Sequence, residues 1–279
     1  MQDNDLKFSI LISIYCKESP AYFDRAMQSL WHEQTVKPNE IILVEDGRLT
    51  DELYQGIKKW KEELGDVLKI TPLKNNVGVG GAKNIGIEKC TNELIAVMDT
   101  DDISLPNRFE KQLEAFKSKD IDVCGAWIGE FERDEKRIIS NRKVPEQQQE
   151  IIKFAKSRSP VNHVTAMYKK KTVLNAGNYE EYRASEDYNL WVKMILVGAK
   201  FYNIQESLVS VRVSDEQFKV RRGGLSYAIN EIRLQYEFLT MGFISPYIFV
   251  KNLALRIPVR LLPNKLRYFV YKLIRSQKT

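Results

Sequence analysis

Histidine and cysteine are scarce in this 279-residue chain, and each scarcity removes a class of chemistry. The three cysteines, Cys16, Cys90 and Cys124, lie far apart, with no CxxC and no Cys/His pairing at zinc-site spacing. A disulfide framework and a structural zinc site are therefore not expected, and a reducing compartment is. No run of about 18 uncharged apolar residues occurs, so no bilayer-spanning helix is expected either. The opening MQDNDLKF is acidic where a secretory leader is basic, which argues against a signal peptide.

Acidic residues are missing from one region altogether. From Phe238 to Thr279 there is no Asp or Glu, while Lys251, Arg256, Arg260, Lys265, Arg267, Lys272, Arg275 and Lys278 all carry positive charge. The formal charge of +6 is thus a property of the tail, and residues 1–237 stand at about −2. A nucleic-acid binder spreads basic residues over its globular body. This body does not, so no nucleic-acid partner is expected. The remaining composition, 43% hydrophobic and 29% charged, describes a packed protein long enough for one large α/β domain and an appendage.

Periodicity gives the organisation. Phe8-Ser-Ile-Leu-Ile-Ser-Ile14 is a nearly continuous apolar run, the pattern of a parallel strand covered on both faces. Pro20 opens a helix with Phe23, Ala26, Met27, Leu30 and Trp31 at helical spacing. Strand patterns recur at Glu40–Val44, Leu68–Ile70 and Glu93–Met98, alternating with helices at about 50–64 and 80–89. That alternation predicts a doubly wound, mostly parallel sheet with flanking helices. Beyond Asp102 the pattern loosens into a helix from about 106 to 118, a strand at 123–129 and a helix from 187 to 196 stopped by Gly198. A soft boundary falls near residue 225, dividing a domain at 1–224 from a basic amphipathic extension at 225–279.

In an open α/β sheet, ligands bind beyond the carboxyl ends of the strands. Tyr15 and Glu18 follow the first strand and Glu45 and Asp46 the second, while the run IAVMDTDD puts Asp99, Asp101 and Asp102 after the fourth. Crowded carboxylates are costly unless a cation neutralises them, and Mg²⁺ or Mn²⁺ takes carboxylate oxygens while keeping positions for phosphate. The same run also reads as a solvated turn before a helix. The segment Asn75-Asn-Val-Gly-Val-Gly-Gly-Ala-Lys-Asn-Ile-Gly86 is not a dinucleotide fingerprint, because it does not follow strand one and Lys83 stands where the third Gly belongs. Nor is there a GxxxxGK[ST] P-loop. Gly78 and Gly80 instead let backbone approach a nucleotide, with Lys83 offering a cation to phosphate, or form a flexible loop with a helix cap.

FSILISIY, ILVEDG, NNVGVGGAKNIG, MDTDD and SEDYNLW, in that order over about residues 8–224, resemble the family 2 glycosyltransferases of GT-A fold. The likeness is nearest to bacterial O-antigen and amylovoran-type exopolysaccharide enzymes. It implies a site for a uridine diphosphate sugar, with Asp46 on the uracil and Tyr15 and Glu18 lining the base and ribose pocket. Asp99 would reach the ribose or a metal-bound water, and Asp101 would ligate Mn²⁺ or Mg²⁺. Inversion needs a base opposite the leaving diphosphate. The resemblance assigns that role to Asp187, with Glu186 orienting acceptor or base; the pair also reads as an acidic helix start. Trp191 is expected to floor the acceptor sugar or to lie in the core, His163 to be structural or beside the acceptor, and Asp102 is placed on the acceptor side. Many relatives carry a metal-binding His after the Glu-Asp pair, and Val211–Asp215 has none. Arg221 and Arg222 are expected to close over a diphosphate, or to form a solvated basic turn.

In the tail, Leu266, Phe269, Val270, Leu273 and Ile274 follow helical spacing with cations beside them, as in a helix lying in an anionic membrane interface or in one packed on the domain itself. Tyr247–Leu262 is similar, although Pro258 must kink or divide it. The resemblance then implies inverting transfer of glucose or galactose to a polyprenyl-diphosphate-linked N-acetylhexosamine, β-1,3 linked, by a peripheral protein at the cytoplasmic face of the bacterial inner membrane. A non-catalytic nucleotide-binding membrane-surface protein and a sugar nucleotidyltransferase are the alternatives.

Overall fold

The computed structural model describes residues 6–180, 185–213, 223–263 and 266. The first half alternates as the sequence patterning requires. Strands β1 (Phe8–Ile14), β2 (Glu40–Glu45), β3 (Leu68–Pro72) and β4 (Leu94–Met98) are separated by helices α1 (Pro20–Trp31), α2 (Asp51–Leu64) and α3 (Gly78–Lys89). Short polar residues start the helices: the Ser19 hydroxyl accepts from the Tyr22 amide and the Thr50 hydroxyl from the Leu53 amide. The third helix begins at Gly78, two residues before its expected start.

Past β4 come β5 (Ile103–Ser104), α4 (Arg108–Ser118), β6 (Val123–Phe131), β7 (Ser140–Arg142), α5 (Gln148–Ala155), β8 (Met167–Lys169), α6 (Lys170–Asn175), α7 (Glu186–Leu196) and β9 (Phe201–Arg212). Two further helices follow, α8 (Leu225–Thr240) and α9 (Pro246–Leu261). Pro258 sits inside the last turn of α9, and the helix is not divided. Gly198, with φ +84, stops α7 as expected. Among the described residues no helix is long and apolar enough to cross a membrane.

The sheet order is β3-β2-β1-β4-β8-β6-β9-β5, with β7 beside β6. The β3-β2-β1-β4 part is parallel, as expected. Beyond it the sheet is mixed, because β8 runs antiparallel to both β4 and β6. Alternate β1 side chains enter two apolar layers. Phe8, Ile10, Ile12 and Ile14 pack with α1, α2 and α4 through Phe23, Leu30, Trp60 and Phe109. Leu11 packs with α3 and α7 through Ala82, Ile87, Leu190 and Trp191. Gly86 lets α3 lie close on the sheet, since a Cβ there would meet Leu11 at 2.2 Å.

The helix pair α8/α9 does not stand apart from the domain. Leu234, Phe238, Phe243 and Ile244 share an apolar cluster with Ala155, Tyr188 and Val192. The Asn189 amide donates to Glu237 at 3.0 Å, and the Asn252 amide donates to the Lys156 carbonyl at 2.8 Å.

Candidate active site

Parallel register fixes what meets at the carboxyl edge. Ile14 lies beside Glu45, and Ile12 beside Met98, so Tyr15 and Asp46 leave the sheet at one level and Asp99 leaves the same edge at the level of Ser13. The order reverses here, β2 lying on one side of β1 and β4 on the other, which opens a crevice at the strand ends.

Asp46 is bound into this edge on two sides. Its amide donates to the Ile14 carbonyl at 2.8 Å, and its carboxylate accepts from the Val77 amide at 2.7 Å. Asp46 thus caps the glycine-rich start of α3, where Gly78 has φ +79. Gly47 has φ +85 and touches the same loop, since a Cβ on it would lie 2.8 Å from the Asn76 nitrogen. Tyr15 and Glu18 are half-buried in a turn closed by the Glu18 amide on the Tyr15 carbonyl at 3.1 Å.

Lys83 projects from α3 with its side chain 2% exposed. Its ammonium donates to Asp99 at 3.2 Å and lies 3.4 Å from His163 Nδ1. The cation expected for a phosphate is therefore already engaged with the carboxylate run. Asp99 and Asp101 are half-buried, and Asp102 is nearly closed off. Burial first, then Asp101 and Asp99, pushes the Asp102 carboxyl well above the usual carboxylate range.

The Glu186-Asp187 pair starts α7. The Glu186 side chain lies close to Gly80, since a Cβ on that glycine would sit 3.9 Å from the Glu186 Cβ. Burial, and then Asp187, raises the Glu186 carboxyl, while the Lys83 ammonium opposes the rise. Glu186 Oε2 is buried without a hydrogen-bond partner among the described residues. Burial, then Lys83, pushes the His163 imidazole down to about 4, with Asp99 and Asp187 pulling the other way. Donor-side and base-side groups therefore share one electrostatic cluster.

Two acceptor-side expectations are corrected. Trp191 is 0% exposed, packed among His163, Tyr168 and Phe201, so it offers no face to a sugar. It lies one turn on from Asp187 on the same helix face, where the chain has already reached the buried layer with Leu11 and Tyr168. Asp102 accepts from the Arg212 amide at 3.0 Å and anchors the end of β9, so it does not face an acceptor. His163 is near the cluster but engaged on both ring nitrogens. Arg221 and Arg222 lie outside the described residues.

Sequence reasoning missed Tyr179, whose hydroxyl meets His163 Nε2 at 2.9 Å, and Arg212, whose guanidinium lies 4.0 Å from the Tyr22 ring centre. Neither stands in a motif; only pairing of distant segments brings them here. Arg212 ends β9 in the stretch where the resemblance sought a His.

Among the described residues no three His, Cys, Asp or Glu side chains form a ready metal site. The set at the edge is Asp99 and Asp101, with Asp102 turned to β9. Two carboxylates, with phosphate oxygens and water completing the shell, are what Mg²⁺ or Mn²⁺ takes at nucleotide sites. The donor set fits such an ion only together with a diphosphate. A separate cleft of about 920 Å³ opens between the start of β1 and α4, and none of these residues lines it.

A family model described as glycosyl transferase family 2 matches residues 9–177. The chain is 41% identical to the UDP-Gal:alpha-D-GlcNAc-diphosphoundecaprenol beta-1,3-galactosyltransferase of Escherichia coli, over 98% of each chain. It is 36% identical to the amylovoran biosynthesis glycosyltransferase AmsE of Erwinia amylovora, over 95% of this chain and 98% of that one. The mannosyltransferase PcManGT from Pyrobaculum calidifontis, solved with GDP-Man and Mn²⁺, shares the fold at a TM-score of 0.66 and 13% identity, covering 91% of this chain and 70% of that one.

Proposed function

The chain belongs to glycosyltransferase family 2, and on that premise we propose that it moves a hexose, galactose or glucose, from a uridine diphosphate sugar to an N-acetylhexosamine on a polyprenyl diphosphate. The linkage proposed is β-1,3, formed with inversion in O-antigen or exopolysaccharide repeat-unit synthesis. Likeness along 98% of both chains to the E. coli galactosyltransferase supports that substrate pair. The observation that carries the chemistry is that Lys83, bonded to Asp99 and set against His163, lies on the helix whose Gly80 packs beside Glu186 at the start of α7.

Asp46, Tyr15 and Glu18 hold the nucleoside, and the Gly78 turn lets backbone approach the diphosphate. Arg221 and Arg222, outside the described residues, are the cations proposed for a diphosphate. Asp101 and Asp99 would hold Mn²⁺ or Mg²⁺, which would supply positive charge to the departing diphosphate. Asp187 takes the acceptor hydroxyl proton as that oxygen bonds to the anomeric carbon and the sugar–phosphate bond breaks on the opposite face. Glu186, kept from easy ionisation by burial and Asp187, orients the acceptor.

The protein works peripherally at the cytoplasmic face of the inner membrane. The outward residues Leu225, Ile229, Ile232 and Tyr236 on α8, and Tyr247, Val250, Leu255 and Leu261 on α9, support this placement with the acid-free tail. Residues 225–279 are then a membrane-facing extension of the 1–224 domain.

The test is transfer from a panel of nucleotide sugars, with Mn²⁺, to a synthetic lipid-diphosphate N-acetylhexosamine. Asp187→Asn should lower transfer about 10²- to 10⁴-fold with UDP binding retained. Asp101→Ala should abolish the Mn²⁺-dependent part of UDP binding. Native rates in both variants sink the assignment.

A further inference from the structure

His163 has a part that neither the fold nor the proposed chemistry assigns. A Lys ammonium donates and never accepts. The His163 Nδ1 that faces Lys83 at 3.4 Å must therefore be the bare nitrogen, and Nε2 carries the proton. Nε2–H then donates to the Tyr179 hydroxyl at 2.9 Å. The Tyr179 proton is left for the Tyr168 hydroxyl, 3.4 Å away in the apolar layer. Every donor in this chain points away from Lys83, and the imidazole has one tautomer that fits. A charged imidazole would set two cations against each other in a mostly enclosed space.

Both ends of the chain are rigidly mounted. His163 opens a tight turn behind Asn162, whose amide donates to the Ala126 carbonyl at 2.8 Å and the Arg142 carbonyl at 3.1 Å. Tyr179 is clamped to α3 through Asn84: the Asn84 amide donates to the Tyr179 carbonyl at 2.8 Å, and the Tyr179 amide donates back at 2.9 Å. Asn84 is the neighbour of Lys83 in the helix. Lys83 in turn bears on both carboxylate groups, bonded to Asp99 and acting at range on Glu186.

We propose that His163 is a positioning residue, a neutral imidazole locked as its Nε2–H form by Tyr179, which holds the Lys83 ammonium against Asp99. It thereby fixes the donor-side carboxylate relative to the segment that carries Glu186 and Asp187. The role in catalysis rests on the transferase reading, whereas the tautomer and its lock do not.

The chain contains two histidines, so spectra of the full-length protein labelled with ¹⁵N-histidine hold two ring systems, and His32→Gln identifies them. At neutral pH, His163 should show a bare Nδ1 and a protonated Nε2, and Tyr179→Phe should shift the Nε2 signal. An Nδ1–H tautomer, or an imidazole titrating near neutral pH, overturns the proposal whether or not the protein transfers sugar. In the transfer assay, His163→Leu should lower kcat about 10- to 100-fold, with acceptor KM little changed. His163→Gln, which keeps one acceptor and one donor, should recover most of it with an unaltered pH profile. Native kcat in the Leu variant reduces His163 to packing and defeats the idea. A Gln variant as impaired as Leu, with a lost limb in the pH profile, makes His163 a proton carrier and also defeats it. Absence of transfer by the native protein would instead sink the transferase reading, leaving the spectra to decide the lock.

Discussion

The Asp46 carboxylate accepts from the Val77 amide across the crevice at 2.7 Å, joining the end of β2 to the start of α3. The side chain that caps the glycine-rich loop is also the one proposed to hold the nucleoside. The proposed function therefore couples loop shape to nucleoside binding through it.

Replacing Asp46 should separate these two tasks. Asp46→Ala removes the cap and should cost about 0.5–2 kcal/mol of stability together with UDP affinity. Asp46→Asn keeps an acceptor for Val77 and should retain most of the stability. Denaturant melts and UDP calorimetry on the two variants measure the split, and equal loss of stability in both would refute the capping role.

Trp191 belongs to the core and not to the acceptor site. Its Nε1 is buried without a partner among the described residues, so Trp191→Phe removes that donor while leaving a gap. Thermal melting should fall modestly, and Trp191→Ala should lose about 3–5 kcal/mol. Acceptor KM in the Phe variant should stay at its native value; a large rise would restore the sugar-stacking role.

Glu231 on α8 is 1% exposed at its side chain and pairs with Arg256 and Arg260 of α9. Burial alone would raise its carboxyl, but the two guanidiniums outweigh it and hold it below the ordinary value. Two of the eight tail cations are thus committed internally and do not serve a lipid surface. Glu231→Ala should cost about 1–3 kcal/mol by leaving Arg256 and Arg260 without their anion. Binding to anionic vesicles should persist in that variant, as flotation would measure.

Glu40 gives an acid limb to stability. Burial opposes its ionisation, but hydrogen bonds from Lys69, Ser9 and Thr91 prevail and hold the carboxyl at about 2. A folded-state value depressed below the unfolded value of about 4.3 stabilises the fold above that pH. The contribution fades as pH falls toward about 2. Glu40→Gln should therefore melt lower than native at neutral pH, with the gap narrowing from about pH 5 downward. A gap that is constant across that range would rule out the linkage.

The two-sided strands, the alternation with helices and the acidic run after β4 were legible because each depends on neighbours in the chain. Apolar period decides strand or helix, and the parallel frame places strand ends at one edge. The antiparallel insertion of β8 was not legible, since three residues carry no signal for which strand they will pair with. Tail charge was legible as composition, but not the use of Arg256 and Arg260, which depends on α9 crossing α8.

Residue identity and spacing alone set what could meet at the crevice: carboxylates after β4, a lysine in the glycine-rich helix and an acidic pair opening α7. Folding decided what each one touches. It turned Trp191 inward, tied Asp102 to β9, and put Lys83 between Asp99 and a histidine far along the chain. Those outcomes are distances between surfaces, settled only when whole layers pack, and no local stretch of sequence contains them.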